Sequence, residues 1–148
     1  MSRRVLILHG LALLTSACIA TPALAWEFTP TPICTLTHTE VSANVELIYD
    51  HSTALYTISI TAPQGWPSAP AFSIRFEGRQ PGTISTTLHQ IAGDTISVSD
   101  SGFGNVLDGL EFNNSATAYT DTTSATVSLD GAAGPVARFR VCTEAPIA

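Results

Sequence analysis

The sequence predicts a mainly β fold: one domain built as an antiparallel β-sandwich or barrel-like arrangement, with one or two short helices. Three observations predict it. Apolar residues recur at every second position in segment after segment, the period of a strand with one buried face. These segments are short and are separated by Gly, Pro, Asn and Asp, the residues that turns demand. Only 12% of the residues are charged, while Thr and Ser fill the positions between the apolar ones, as suits a solvent-facing sheet surface covered by hydroxyls.

The first 25 residues read as an export signal. Arg3 and Arg4 give a positive start, Val5 to Leu14 an apolar run, and Ala23-Leu24-Ala25 a small-x-small cleavage site,. The continuously apolar part is well short of the roughly 20 residues a membrane-spanning helix needs. The sequence therefore divides into a signal peptide, 1–25, and a single domain, 26–148, that is periplasmic or secreted and has no stable membrane span. Ser2-Arg3-Arg4 followed by Leu6 and Ile7 leaves general and twin-arginine export both open. Thr15-Ser16-Ala17-Cys18 has the outline of a lipoprotein box, but Thr15 stands where an aliphatic residue is usual, so cleavage after Ala25 is the preferred reading.

Removal or lipidation of Cys18 leaves Cys34 and Cys142 as a pair. An exported chain meets an oxidising environment, so a disulfide is expected. Closing a loop of that length restricts the unfolded state by roughly 4–5 kcal/mol in the chain-entropy model and ties the two ends of the domain together. Two isolated cysteines without a Cys-x-x-Cys pair or a His tract do not make a metal site.

The domain is acidic. Twelve Asp and Glu stand against four arginines, Arg75, Arg79, Arg138 and Arg140, with no lysine, a formal charge of about −8 by difference. Such a surface repels a polyanion, because nucleic-acid binding draws on clustered Lys and Arg. The expected partner is a protein or another envelope component, and not nucleic acid.

In chain order, Glu27 to Pro32 is extended because proline disfavours helix at the residue before it, and a short strand follows around Ile33 to Thr37. Val45, Leu47 and Tyr49 alternate with polar neighbours, Asp50 to Thr53 turns the chain, and Tyr56, Ile58 and Ile60 alternate again: a hairpin. Pro63 to Pro70 is a loop, with three prolines and a glycine in eight residues,. Its Trp66 is either a lid over the core edge, the preferred reading, or an exposed ligand platform. Phe72, Ile74 and Phe76 mark a strand, Gly78 to Gly82 a turn, and Thr83 to Leu88 and Asp94 to Ser99 two further strands.

Asp100 to Asn114 breaks the pattern. Gly102, Gly104 and Gly109 permit close approach or unusual backbone conformations, whereas Phe103, Val106, Leu107, Leu110 and Phe112 need something to pack against. Asn105 to Glu111 forms a short helix or a tight turn. The whole stretch reads as a structured corner between the two halves of the fold. Ala116 to Tyr119 and Ala125 to Leu129 are strands. The final element, Ala132 to Cys142, is a helix by Pro135 in its first turn and the Val136/Phe139 spacing; a strand over Val136 to Val141 fits the alternation nearly as well.

Little in this chain reads as catalytic. His38, His51 and His89 lie in separate segments with no metal-ligand or triad spacing. Gly102-Phe-Gly-Asn-Val-Leu-Asp-Gly109 has neither a dinucleotide fingerprint nor a P-loop lysine. Asp100, Asn105 and Asp108 offer oxygens to Ca²⁺ but miss the calcium-loop spacing, and beside glycine they are ordinary turn residues. No catalytic, cofactor or metal residue is assigned. The corner residues Asp100, Gly102, Phe103, Gly104, Asn105, Asp108 and Gly109 stand as a functional or structural candidate.

Trp26 and Cys34 at the front, Gly-Phe-Gly-Asn-Val-Leu-Asp-Gly-Leu in the middle, Ser-Leu-Asp-Gly-Ala-Ala at 128–133, and then Phe139 and Cys142 resemble a family of small exported bacterial proteins of uncharacterised activity. Some members of that family are automatically labelled as a component of the excinuclease ABC system. An export signal, the absence of a P-loop and of lysine, and the short chain argue against that activity. The ending, a strand, a Gly-containing turn, a short helix and a last cysteine, is more distantly similar to invasion-associated locus B-like periplasmic proteins. Neither resemblance implies catalytic residues. The expected function is a non-catalytic binding or structural module of the bacterial envelope. The alternatives are a small periplasmic hydrolase, for which His89, Asp94, Asp100 and Asp108 would have to converge, and a secreted inhibitor or host-directed factor.

Overall fold

The alternation builds ten short strands and two helices in a computed structural model of the chain, which describes Ala17 and residues 25–145. The expected export signal and Cys18 lie outside the described residues, apart from Ala17 and Ala25. In chain order the elements are β1 (Glu27–Thr29), β2 (Cys34–Thr39), β3 (Asn44–Asp50), β4 (Leu55–Thr61), β5 (Phe72–Gly78), β6 (Gly82–Thr86), β7 (Gln90–Ala92), β8 (Thr95–Asp100), α1 (Gly104–Phe112), β9 (Asn113–Tyr119), β10 (Ser124–Ser128) and α2 (Ala133–Glu144). No described helix is long and apolar enough to cross a membrane.

The strands form two antiparallel sheets rather than a closed barrel. One runs β1-β2-β3-β4-β8-β7 and the other β10-β9-β5-β6. The β3–β4 hairpin sets the register of the first, pairing Leu47 with Ile58 and Val45 with Ile60, and β8 continues it by pairing Ile58 with Val98. These residues alternate inward, so a single apolar cluster forms between the sheets,. It takes in Leu47, Ile58, Ile60, Phe72, Ile74, Phe76, Ile96, Leu110, Val127, Leu129 and Phe139, with Val98 partly buried against it. At the hairpin turn, Asp50 Oδ1 accepts from the Ser52 hydroxyl at 2.7 Å and the Ser52 N–H at 2.8 Å, and these bonds hold its carboxyl below the usual carboxylate range,.

Three details differ from expectation, and two readings left open are decided. The extended stretch after Trp26 pairs with β2 as β1, and a three-residue β7 precedes β8. The strand expected over Thr83 to Leu88 ends at Thr86, leaving Leu88 78% exposed. The last element is a helix: that period puts Val136 and Phe139 together on one face, both fully buried, whereas a strand would have pointed them to opposite sides. Trp66 is 3% exposed, which overturns the platform reading; its indole N–H donates to the Ile60 carbonyl at 3.0 Å and its ring meets Phe72 edge-on.

The Cys34–Cys142 disulfide joins β2 to α2, with Cα atoms 6.0 Å apart. At the other end of β2, Trp26 stacks on His38 with centroids 4.5 Å apart. The Trp26 indole N–H donates to the Ser128 carbonyl at 3.0 Å. These links fasten the front of the described chain to both α2 and β10.

Candidate functional site

Asp100 to Asn114 is one of three crossovers between the sheets, the one in which α1 carries the chain from β8 to β9. The helix buries Val106, Leu107 and Leu110, while Phe112 is only partly buried. Gly109 faces Phe76 of β5 so closely that an added Cβ would overlap the ring, so any larger residue there forces the ring or the helix to shift. Gly104 is different: its backbone is not left-handed and an added Cβ would meet nothing within 4 Å. Of the three glycines expected to permit close approach or unusual backbone, Gly109 is used for close approach; none of the three is left-handed. Asp108 points away from the interior and pairs with Arg140 at 2.5 Å, and Glu111 pairs with the same guanidinium at 2.8 Å. Two acids of α1 thereby hold one arginine of α2.

Beside the start of α1 the sheets part. A cleft of about 230 Å³ opens between β4 and β8 of one sheet and β5 and β6 of the other. Its apolar wall comes from Ile58, Phe72, Ile74, Ile84 and Val98. Phe103 and Val106 close it at the helix, and Phe103 stacks on Tyr56 with centroids 5.4 Å apart. Ser85, Thr86, Asn105 and Asp100 supply the polar lining, and Asp100 is the one ionisable group among the lining residues. Gly102 also lines it, and Phe103, the residue before α1, provides no side-chain cap. An apolar trough with a few hydrogen-bonding groups at its margin is the usual form of a binding site.

Four of the seven corner candidates therefore meet at the cleft: Asp100, Gly102, Phe103 and Asn105. Gly104, Asp108 and Gly109 do not line it. Ile84, Ser85, Thr86 and Val98 complete it from segments that read in sequence only as ordinary strands. Cys34 and Cys142 form the disulfide and stand apart from it.

The histidines serve the fold. His38 is buried and its Nε2 lies 2.7 Å from Glu40 Oε1, but that oxygen also accepts the Ser128 N–H at 2.7 Å, so the pair ties the β2–β3 turn to β10. Nε2 of His51 meets the Cys142 carbonyl and Nε2 of His89 the Ala69 carbonyl, each at 3.1 Å. Asp94 and Asp100 sit at opposite ends of β8, roughly 20 Å apart at about 3.3 Å per residue, and Asp108 faces Arg140. His89, Asp94, Asp100 and Asp108 therefore do not gather at one place. No group of three or more His, Cys, Asp or Glu among the described residues could hold a metal ion. No family model, curated protein or solved structure matches the chain.

Proposed function

We propose that this protein is an exported, non-catalytic binding module of the bacterial envelope, and that the inter-sheet cleft is its binding site. The observation that carries the reading is the cleft itself, a space of about 230 Å³ between the two sheets with both apolar and hydrogen-bonding walls, on a disulfide-closed scaffold. Export is supported by the amino-terminal pattern of Arg3, Arg4 and the apolar run before Ala23-Leu24-Ala25, and by a disulfide of the kind oxidising compartments sustain,. The resemblance to small exported bacterial proteins agrees with it.

Fractionation of cells producing the full chain tests the compartment: the oxidised protein is expected in the periplasm or the medium, trimmed to Trp26. Titration of the folded protein with the apolar dye 1-anilinonaphthalene-8-sulfonate tests the site. One saturable site per chain is expected, and Ile84→Arg should abolish it while leaving the circular dichroism spectrum unchanged. Dye fluorescence that does not saturate, or that is indifferent to Ile84→Arg, rejects the cleft.

A further inference from the structure

We infer that the outer edge of β6 receives an additional β-strand, an extended peptide segment that is uncharged along most of its length and carries a basic residue where it passes Asp100. The inference rests on the cleft being the binding site and adds what occupies it and how.

The four sheet edges are not alike. β1 and β7 have three residues each, too short to template a partner, and β1 is followed by Pro30 and Pro32. β10 has five residues, but side chains occupy its outward backbone groups. Gln64 Nε2 donates to the Ser124 carbonyl at 3.1 Å and the Ser42 hydroxyl to the Thr126 carbonyl at 2.7 Å. The Ser128 N–H donates to Glu40, and its carbonyl accepts from Trp26. β6 is equally long, and among the described residues no side chain bonds to the backbone of Gly82–Thr86. Its sequence, Gly-Thr-Ile-Ser-Thr, contains no charge and no proline, the devices that normally blunt an edge.

An exposed, uncharged edge with a pocket beside it is the arrangement that strand addition uses: main-chain hydrogen bonds hold the peptide, and a pocket takes alternate side chains. Here the cleft lies directly inside β6, between Ile84 and Val98. An added strand would direct every second side chain toward it. Charge selects the occupant. Asp100 is the only ionisable residue lining the cleft, and the chain as a whole carries −6. A second copy pairing through its own β6 would bring another Asp100 and another acidic surface to the same place, whereas a basic side chain complements both.

The test uses the disulfide-intact protein and two pools of fluorescein-labelled hexapeptides, with Val, Ile or Thr at five positions and one Lys in the first pool or one Glu in the second. Fluorescence anisotropy should show the Lys pool binding at least tenfold more tightly than the Glu pool. Asp100→Asn should erase that preference, and N-methylation of alternate peptide amides should weaken binding at least tenfold, because it removes the main-chain donors. Ile84→Arg should abolish binding; Asp100→Asn, at an exposed position, keeps the test decisive if that variant does not fold. Saturable dye binding without peptide binding overturns the strand while sparing the cleft, and failure of both overturns both. Peptide binding insensitive to Asp100→Asn and to N-methylation also overturns it. So does a concentration-dependent dimer that Ile84→Arg dissociates, since the edge would then serve a second copy.

Discussion

The two ends of the second sheet begin with the same problem and resolve it differently. β10 and β6 are both five-residue edge strands of Thr, Ser and aliphatic residues. Over β10, loops bring Trp26, Glu40, Ser42 and Gln64 to the free backbone groups, and small residues, Ala43, Ala116, Ala118 and Ala125, let the sheets close to a residual void of about 20 Å³ with apolar walls. Beside β6, no side chain among the described residues hydrogen-bonds to the edge, and the sheets leave more than ten times that space. Strand composition does not distinguish a sealed edge from an open one. Long-range side-chain reach does, since the capping groups of β10 lie 60 to 102 residues away in sequence.

If the β10 end is sealed by those side chains, breaking the seal should cost far more than any change at β6. Trp26→Ala removes a buried indole, its stacking on His38 and the donor to Ser128. It should destabilise by about 3–5 kcal/mol, read as a lower urea midpoint at unchanged slope. Replacing both Cys34 and Cys142 with Ala should cost about 2–5 kcal/mol in the same measurement, because the bridge anchors β2 to α2. A shift below about 1 kcal/mol in either variant would mean that the front of the chain is not a structural seal.

Most strands were legible because a sheet with one buried face writes a period of two into its sequence, as Leu47, Ile58, Phe72 and Ile96 show. The final element was ambiguous because Val136, Arg138 and Arg140 also alternate; burial of both Val136 and Phe139 decides for a helix. Trp66 among prolines left a lid over the core edge and an exposed platform both open; its indole reaches the carbonyl of Ile60 only six residues back, a local bond that composition does not announce. The cleft was half legible. Asp100, Gly102, Phe103 and Asn105 stood out because they interrupt the pattern, whereas Ile84 and Val98 do not interrupt it, and only the tertiary arrangement leaves space between them.

The two glycines of α1 sharpen the contrast between filled and open regions. Gly109→Ala drives a methyl group into the Phe76 ring and should cost about 1–3 kcal/mol by overpacking. Gly104→Ala meets nothing and restricts the unfolded chain, so it should stabilise by about 0.4–1 kcal/mol. Thermal unfolding of the two variants should therefore move in opposite directions. Equal losses would restore a conformational role for Gly104.

The smallest effect isolates the edges themselves. Ser42→Ala removes a single hydrogen bond to the Thr126 carbonyl, at an exposed site, and should cost about 0.5–1.5 kcal/mol. Thr83→Ala trims an exposed side chain on β6 that has no hydrogen-bond partner among the described residues, and should stay within about 0.5 kcal/mol of the parent. Both changes are small, so amide exchange is the better reading. The Ser128 N–H, held by Glu40, should exchange slowly and become faster in Glu40→Gln, since a neutral amide oxygen accepts less strongly than a carboxylate. The outward amides of β6 should exchange fast in the free protein and slow only when the Lys peptide pool is added. Slow exchange along β6 without peptide would show that its edge is already covered, and the difference between the two ends of the sheet would vanish.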